Sequence, residues 1–193
     1  MWYVLELYAY PRILIMPCRK SKPNRYAFVG ILLNILVILI VASPLIAAAD
    51  DLLTVKVETV IDGDTIKVRY RGQRFLVRLW GIDTPEYHQP FSKVAKKYTV
   101  DLVKNSTVRL KKKDWDKYGR MVAIVTMEDG RCLNEELLKA GYSWVHIYYC
   151  REAICDKWKE YEKGARRKRI GLWRDNSPVP PWVHKRKQMR KKW

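Results

Sequence analysis

Three short segments of this 193-residue chain set carboxylates and arginines at spacings that can do chemistry. In Asp62-Gly63-Asp64-Thr65 one residue separates two acids. In extended chain, residues i and i+2 share a face, so both carboxylates converge. Asp-Gly is equally a common hairpin signal, so the pair alone decides nothing. In Arg78-Leu79-Trp80-Gly81-Ile82-Asp83-Thr84-Pro85-Glu86, an arginine on an apolar strand precedes two acids just past its end. An acid there that came near Asp64 would complete a hard, oxygen-rich cation site. In Asp116-Lys117-Tyr118-Gly119-Arg120, a turn delivers an arginine onto the next strand; in isolation it reads as a polar hairpin tip. An EF-hand loop is excluded, because Ile66 and Lys67 stand where further ligands and the glycine belong. No C-x-x-C occurs and His88, His146 and His184 are scattered, so no zinc pattern is present.

The elements that must position these residues follow from periodicity. LLTVKVETV (52–60) and TIKVRY (65–70) alternate apolar and polar residues, and FLVRLWGI (75–82) follows a Tyr-Arg-Gly-Gln turn. From Pro90 the period becomes helical, through Phe91, Val94, Ala95, Tyr98 and Leu102. Thr107–Lys111 and Arg120–Met127 read as two more strands. Asn134 is placed to cap a short helix ending at Gly141, and Ile154, Trp158, Tyr161 and Ala165 mark another that stops near Gly171. The expected fold is α+β: a small OB-type five-stranded β-barrel with about three helices. The Pro-rich, then basic tail is expected to pack Trp173 and Trp182 before becoming a loose cationic arm.

The chain carries a formal charge of +18, which calls for a polyanionic partner: nucleic acid or an anionic membrane surface. Eight Trp and 12 Tyr exclude disorder for most of it, and four Cys exclude a disulfide-dense scaffold. Residues 27–49 carry no charge, follow a basic flank and end in Ala-Ala-Ala, so 1–49 is expected to be a signal peptide or membrane anchor. Both imply export: a secreted or periplasmic protein, or one tethered through 27–49. The first 49 residues hold five Lys or Arg and one Glu, so the remaining 144 keep +14. The basic excess therefore belongs to the domain, expected over 50–182 and followed by a basic tail at 183–193. Cys150 and Cys155 either pair in an oxidising compartment or stay free thiols. On one continuous helix they would rise about 7.5 Å apart, so a bridge needs irregular backbone there and a helix starting nearer Ala153.

Taken together, D-G-D-T, R-L-x-G-I-D-T-P-E and D-K-Y-G-R, in this order and at these spacings, resemble the staphylococcal nuclease (thermonuclease) family. The resemblance runs from about Val55 to Trp173 and includes Leu133–Val145 (LNEELLKAGYSWV) and Arg169–Trp173 (RIGLW). It implies an OB-fold enzyme that hydrolyses DNA and RNA phosphodiesters and leaves 3′-phosphate ends. It makes Asp64 and Asp83 calcium (Ca2+) ligands, with the Thr84 carbonyl as a third and Asp62 an acid shaping the site. Arg78, Glu86 and Arg120 take the catalytic positions. Tyr118, with Lys117 beside it, matches a substrate-stacking tyrosine, and Tyr148 or Tyr149 stands for another.

These residue types suit the reaction. Attack on a phosphodiester builds negative charge that a divalent cation and two planar guanidiniums offset. Every candidate ligand is oxygen, which favours calcium over zinc. The rival reading is a non-catalytic nucleic-acid-binding barrel, which would have no need of Asp62, Asp64, Arg78, Asp83, Glu86 and Arg120 together. A monomer is the default expectation.

Overall fold

The computed structural model describes residues 52–191. The expected leader at 1–49 lies outside the described residues. Strands β1 (Leu52–Val60), β2 (Thr65–Tyr70) and β3 (Gln73–Leu79) form a meander, and a two-residue strand β4 (Ile82–Asp83) follows. Helix α1 (Ser92–Val103) leads to β5 (Thr107–Trp115) and β6 (Met121–Met127). Then come α2 (Leu133–Lys139), β7 (Trp144–Val145), α3 (Ile154–Arg167), a 3-10 turn at Gly171–Arg174 and α4 (Pro181–Lys191).

The barrel closes in the order β1-β2-β3-β6-β5, with β1 and β5 antiparallel at the seam and β3 and β6 as its parallel pair. Alternation fills it: Val55 and Val57, Ile66 and Val68, Val77 and Leu79, and Val108 and Leu110 are all buried. In β1 the inward residues step from Val57 to Val60, three residues rather than two. A register shift between Val57 and Thr59 accounts for it, because one extra residue flips the phase of the strand. Glu58, at the irregularity, pairs outward with Arg69 and Arg74.

The helices hold the site turns against this barrel. On α1 the buried residues are Ala95, Thr99 and Val103. The expected apolar face is therefore rotated: Val94 is exposed, and Tyr98 and Leu102 are partly buried. A polar residue holds the centre because the Thr99 hydroxyl donates to the Gly63 carbonyl at 2.6 Å. Asn134 lies inside α2 rather than capping it; Cys132 stands at the cap, and its side chain bonds Asn134 Oδ1 at 3.7 Å rather than a backbone N–H of the first turn. The Asn134 amide is fully buried, accepts the Val125 N–H at 3.1 Å and donates to the Trp80 carbonyl at 2.9 Å. Buried backbone groups need such partners, and that demand overrides a capping role.

Trp158 of α3 lies under the turn that leaves β3, edge-on to Trp80 at 5.6 Å between centroids. Gly81, at φ 71°, passes directly over it; a Cβ there would come within 2.9 Å of Cys150 Sγ and of the Trp158 ring. Cys150 and Cys155 are disulfide-bonded, and α3 begins only at Ile154. The tail is a helix, not a loose arm, over Pro181–Lys191. Pro181 suits a first turn, and Trp182 packs with Trp144, Leu172 and Trp173 in a second core, so the segment has an anchor. Among the described residues no helix is long and apolar enough to cross a membrane.

Candidate active site

The site forms where the β1–β2 turn, the end of β3 and the β4 ladder meet. Ile82 pairs with Val145 and Asp83 with Trp144 across β4 and β7, which fixes Asp83 in buried backbone. Asp64 sits at the other side of the notch. Its Oδ2 accepts the Thr84 backbone N–H at 2.6 Å and the Thr84 hydroxyl at 2.8 Å. Gly63 permits this closeness, since a Cβ there would lie 2.7 Å from Thr84 Oγ1. Asp62 joins through its Oδ1, which accepts the Asp64 backbone N–H at 3.1 Å.

Arg78 lies between the two buried acids. It is paired across the ladder with Thr65, and its guanidinium makes ion pairs with Asp64 and, at 2.5 Å, with Asp83. One guanidinium thus pairs with two carboxylates and acts on a third, Asp62, only through its charge, and their ionisation reflects the shortage. Burial, with the neighbouring Asp64 charge, pushes Asp62 up to about 6. Burial, against the pull of Arg78 and with Asp64 adding to it, pushes Asp83 up to about 7. Burial also acts on Asp64, but Arg78 and the two Thr84 bonds outweigh it and hold that carboxyl below its ordinary range. Arg78 itself is held charged, since the three acids outweigh its own burial.

Such a notch has the donor chemistry of a divalent-cation site. Its ligand atoms are all oxygen, and three carboxylates against one guanidinium leave an excess of two negative charges when ionised. Among the described residues no three His, Cys, Asp or Glu side chains close into a cage by themselves. A cation here would take Asp64, Asp83 and backbone or water oxygens, with Asp62 shaping the field.

Arg120 approaches from β6. Asp116 shapes its turn: Oδ1 accepts the backbone N–H groups of Tyr118 at 2.9 Å and Arg120 at 3.0 Å, and Oδ2 accepts Arg120 Nε–H at 2.6 Å. The far end of the guanidinium lies 3.5 Å from Thr65 Oγ1, and Thr65 in turn lies beside Asp64. Glu86 stands on the other flank, half-buried. Its backbone N–H donates to Gln89 Oε1 at 2.9 Å, and its carboxylate meets Lys185 at 2.7 Å. Exposed aromatics rim the notch. Tyr118 is 71% exposed, with Lys117 and Arg120 each over its ring at just above 5 Å. Tyr149, 70% exposed, packs on His146 at 4.5 Å, and Tyr148 lies on the same histidine at 5.9 Å.

The structure therefore brings Asp62, Asp64, Arg78, Asp83 and Thr84 into one cluster. It sets Arg120 at its edge through Thr65 and Glu86 on its flank, while Lys117, Tyr118 and Tyr149 stay on the rim. Gln89 carries no signal in the sequence, whereas Lys185 stands out only as part of the basic tail and Asp116 only as the first residue of the D-K-Y-G-R turn. Their partners come from distant segments or from a turn whose acid is ordinary.

A closed OB-type barrel with this acid-and-guanidinium notch defines a class of protein: a hydrolase built for a phosphodiester. Residues 76–175 match the family described as staphylococcal nuclease homologue. A Haemophilus influenzae protein described as an uncharacterized endonuclease is 34% identical over 152 residues, covering 78% of this chain and 83% of that protein. A micrococcal nuclease of Shigella flexneri is 35% identical, covering 68% of this chain and 79% of its own length. The SPbeta prophage-derived endonuclease YokF of Bacillus subtilis is 35% identical, covering 67% of this chain and 47% of its own length. The chain belongs to the staphylococcal nuclease homologue family, and with it to the nucleases.

Proposed function

We propose that this protein is an exported, calcium-dependent endonuclease that hydrolyses DNA and RNA with little sequence preference and leaves 3′-phosphate ends. The observation that carries the reading is the pairing of Arg78 with both Asp64 and Asp83, with Asp62 bonded to the Asp64 backbone and Arg120 supplied to the edge of the same cluster.

Bound at Asp64 and Asp83, a calcium ion would supply Lewis-acid stabilisation of the phosphate charge. The chain's own residues do the rest. Arg78 and Arg120 turn planar N–H forks to the non-bridging oxygens, whose charge grows as water adds to phosphorus. Glu86 orients that water and accepts its proton as the bond from phosphorus to the 5′ oxygen breaks. The departing 5′ oxygen takes up a proton, and the phosphate stays on the 3′ side. Tyr118 and Tyr149 offer ring faces to which any base can stack, which suits a nuclease indifferent to sequence.

Export is supported by the charge-free run at 27–49 and by the Cys150–Cys155 bond, since disulfides persist in oxidising compartments. Whether that run is removed or retained as a tether, the domain after it is exported, and it acts as a monomer. The test is cleavage of single- and double-stranded DNA and of RNA by the purified protein, with calcium and with chelator, beside Glu86→Ala and Arg120→Ala. Calcium-dependent cleavage lost in both variants supports the reading. Salt-sensitive binding without cleavage by the unmutated protein replaces it with a binding barrel.

A further inference from the structure

Helix α4 lies beyond residue 175, where the family match ends, yet it reaches the site. Two contacts bring it there. Trp182 packs in the second core, with its ring 5.1 Å from that of His146. Gln89 is buried and works in both directions: its Oε1 accepts the Glu86 backbone N–H at 2.9 Å, and its Nε2–H donates to the Val179 carbonyl at 3.0 Å. The segment entering α4 and the backbone of Glu86 therefore share one side-chain clamp. Lys185, about one turn after Trp182, then places its ammonium 2.7 Å from Glu86 Oε1 while its side chain stays 52% exposed.

From these contacts we infer that Lys185 is a phosphate-binding residue of the nucleic-acid groove, parked on Glu86 until a substrate phosphate takes its place. This rests on the reading of Glu86 as a site residue. Between Pro181 and Lys191, α4 contains no acid of its own, and the carboxylate that Lys185 meets, Glu86, belongs to the site, with the Asp83 charge nearby. A half-exposed lysine–glutamate pair is weak and exchanges readily for another anion. A phosphodiester offers full negative charge to an ammonium that has three donors and a flexible stem. The exchange does two things at once: it holds a phosphate at the flank of the notch and frees Glu86 to face the water. Arg186 and Lys187 lack this geometry, since each successive residue turns about 100° around the helix and away from Lys185's line to Glu86.

The test is salt-dependent binding of a fluorescent single-stranded oligonucleotide to the purified full chain in chelator, for the unmutated protein, Lys185→Ala and Lys185→Arg. One lost phosphate contact flattens the slope of log K against log[salt] by about 0.7 on single strands. Lys185→Ala is expected to show that change and Lys185→Arg to keep the original slope. With calcium, Lys185→Ala is expected to raise KM about fivefold, the loss of one ionic contact to phosphate. An unchanged slope in Lys185→Ala overturns the inference. A gain in kcat/KM in that variant also overturns it, and makes the contact an autoinhibitory latch. Because the binding arm needs no turnover, a protein that binds without cleaving would refute the nuclease reading while still reporting on Lys185.

Discussion

The carboxylate of Asp116 grips Arg120 at both ends, accepting its backbone N–H at 3.0 Å with one oxygen and its Nε–H at 2.6 Å with the other. The turn and the aim of the guanidinium are thus set by one side chain. Asp116→Asn keeps an oxygen for the backbone and loses the charge that orients Nε. It is expected to lower kcat about tenfold with little change in folding, whereas Arg120→Ala lowers kcat by about 10²–10³. Steady-state kinetics on a DNA substrate checks both. A double variant no worse than Arg120→Ala alone is expected, since Asp116 acts through Arg120; additive losses would mean that Asp116 acts on the reaction directly.

Metal affinity should depend on protons. Asp83 is pushed up to about 7 and Asp62 to about 6, so without a cation both are substantially protonated in mildly acidic solution. A cation must displace the Asp83 proton, which makes calcium affinity at pH 6 about tenfold weaker than at pH 8, with proton release on binding. Calorimetry in two buffers of different ionisation enthalpy measures that release.

The same shift fixes a sign for stability. The folded Asp83 holds its proton more tightly than the unfolded chain does, with a folded value near 7 against an ordinary 3.8. Its contribution is therefore fully present below 3.8 and is lost as pH rises through 7. Calcium should raise Tm more at pH 8 than at pH 5, because at the higher pH it relieves repulsion that protons no longer relieve. Thermal unfolding with and without the ion tests this, and an equal rise at both pH values would count against Asp83 as a ligand.

Thr99 ties α1 to the Asp-Gly-Asp turn through the Gly63 carbonyl. Thr99→Val keeps the shape and leaves that carbonyl unsatisfied in a buried place, which costs about 1–3 kcal/mol. Urea unfolding should show this loss. Calcium affinity should fall as well, since the turn carrying Asp64 loses its tether. Thr99→Ser, which restores the hydroxyl, should recover affinity more fully than stability.

The Cys150–Cys155 bond closes a short loop beside Gly81. Replacing both cysteines by serine is expected to cost about 2 kcal/mol, the chain-entropy value for so short a loop. Loss of activity is expected to follow unfolding rather than precede it, because the disulfide's role is to fix the turn beside Gly81 and not to take part in the chemistry. Unfolding curves with and without reductant provide the check.

Much of this was legible in consecutive residues. The alternation of LLTVKVETV and TIKVRY, and the order Asp62, Asp64, Arg78, Asp83, Glu86, Arg120, are local patterns, and the barrel and the cluster of acids obey them. The face of α1 departs from the apolar periodicity: Val94 is exposed, and the position facing the barrel belongs to Thr99, whose hydroxyl serves a carbonyl 36 residues away. Asn134 departs from its expected capping role for the same reason. A residue suited to capping was needed more by Val125 and Trp80 than by its own helix.

The sequence by itself determined which strands form and which side chains can bear charge at the site, because alternation and close spacing act within a few residues. Only the tertiary structure decided which partner each charge meets. Arg78 stands between Asp64 and Asp83, and Lys185 lies on Glu86 almost a hundred residues along the chain. Burial then set how those acids ionise, since desolvation depends on what packs around a carboxyl and not on its neighbours in the chain.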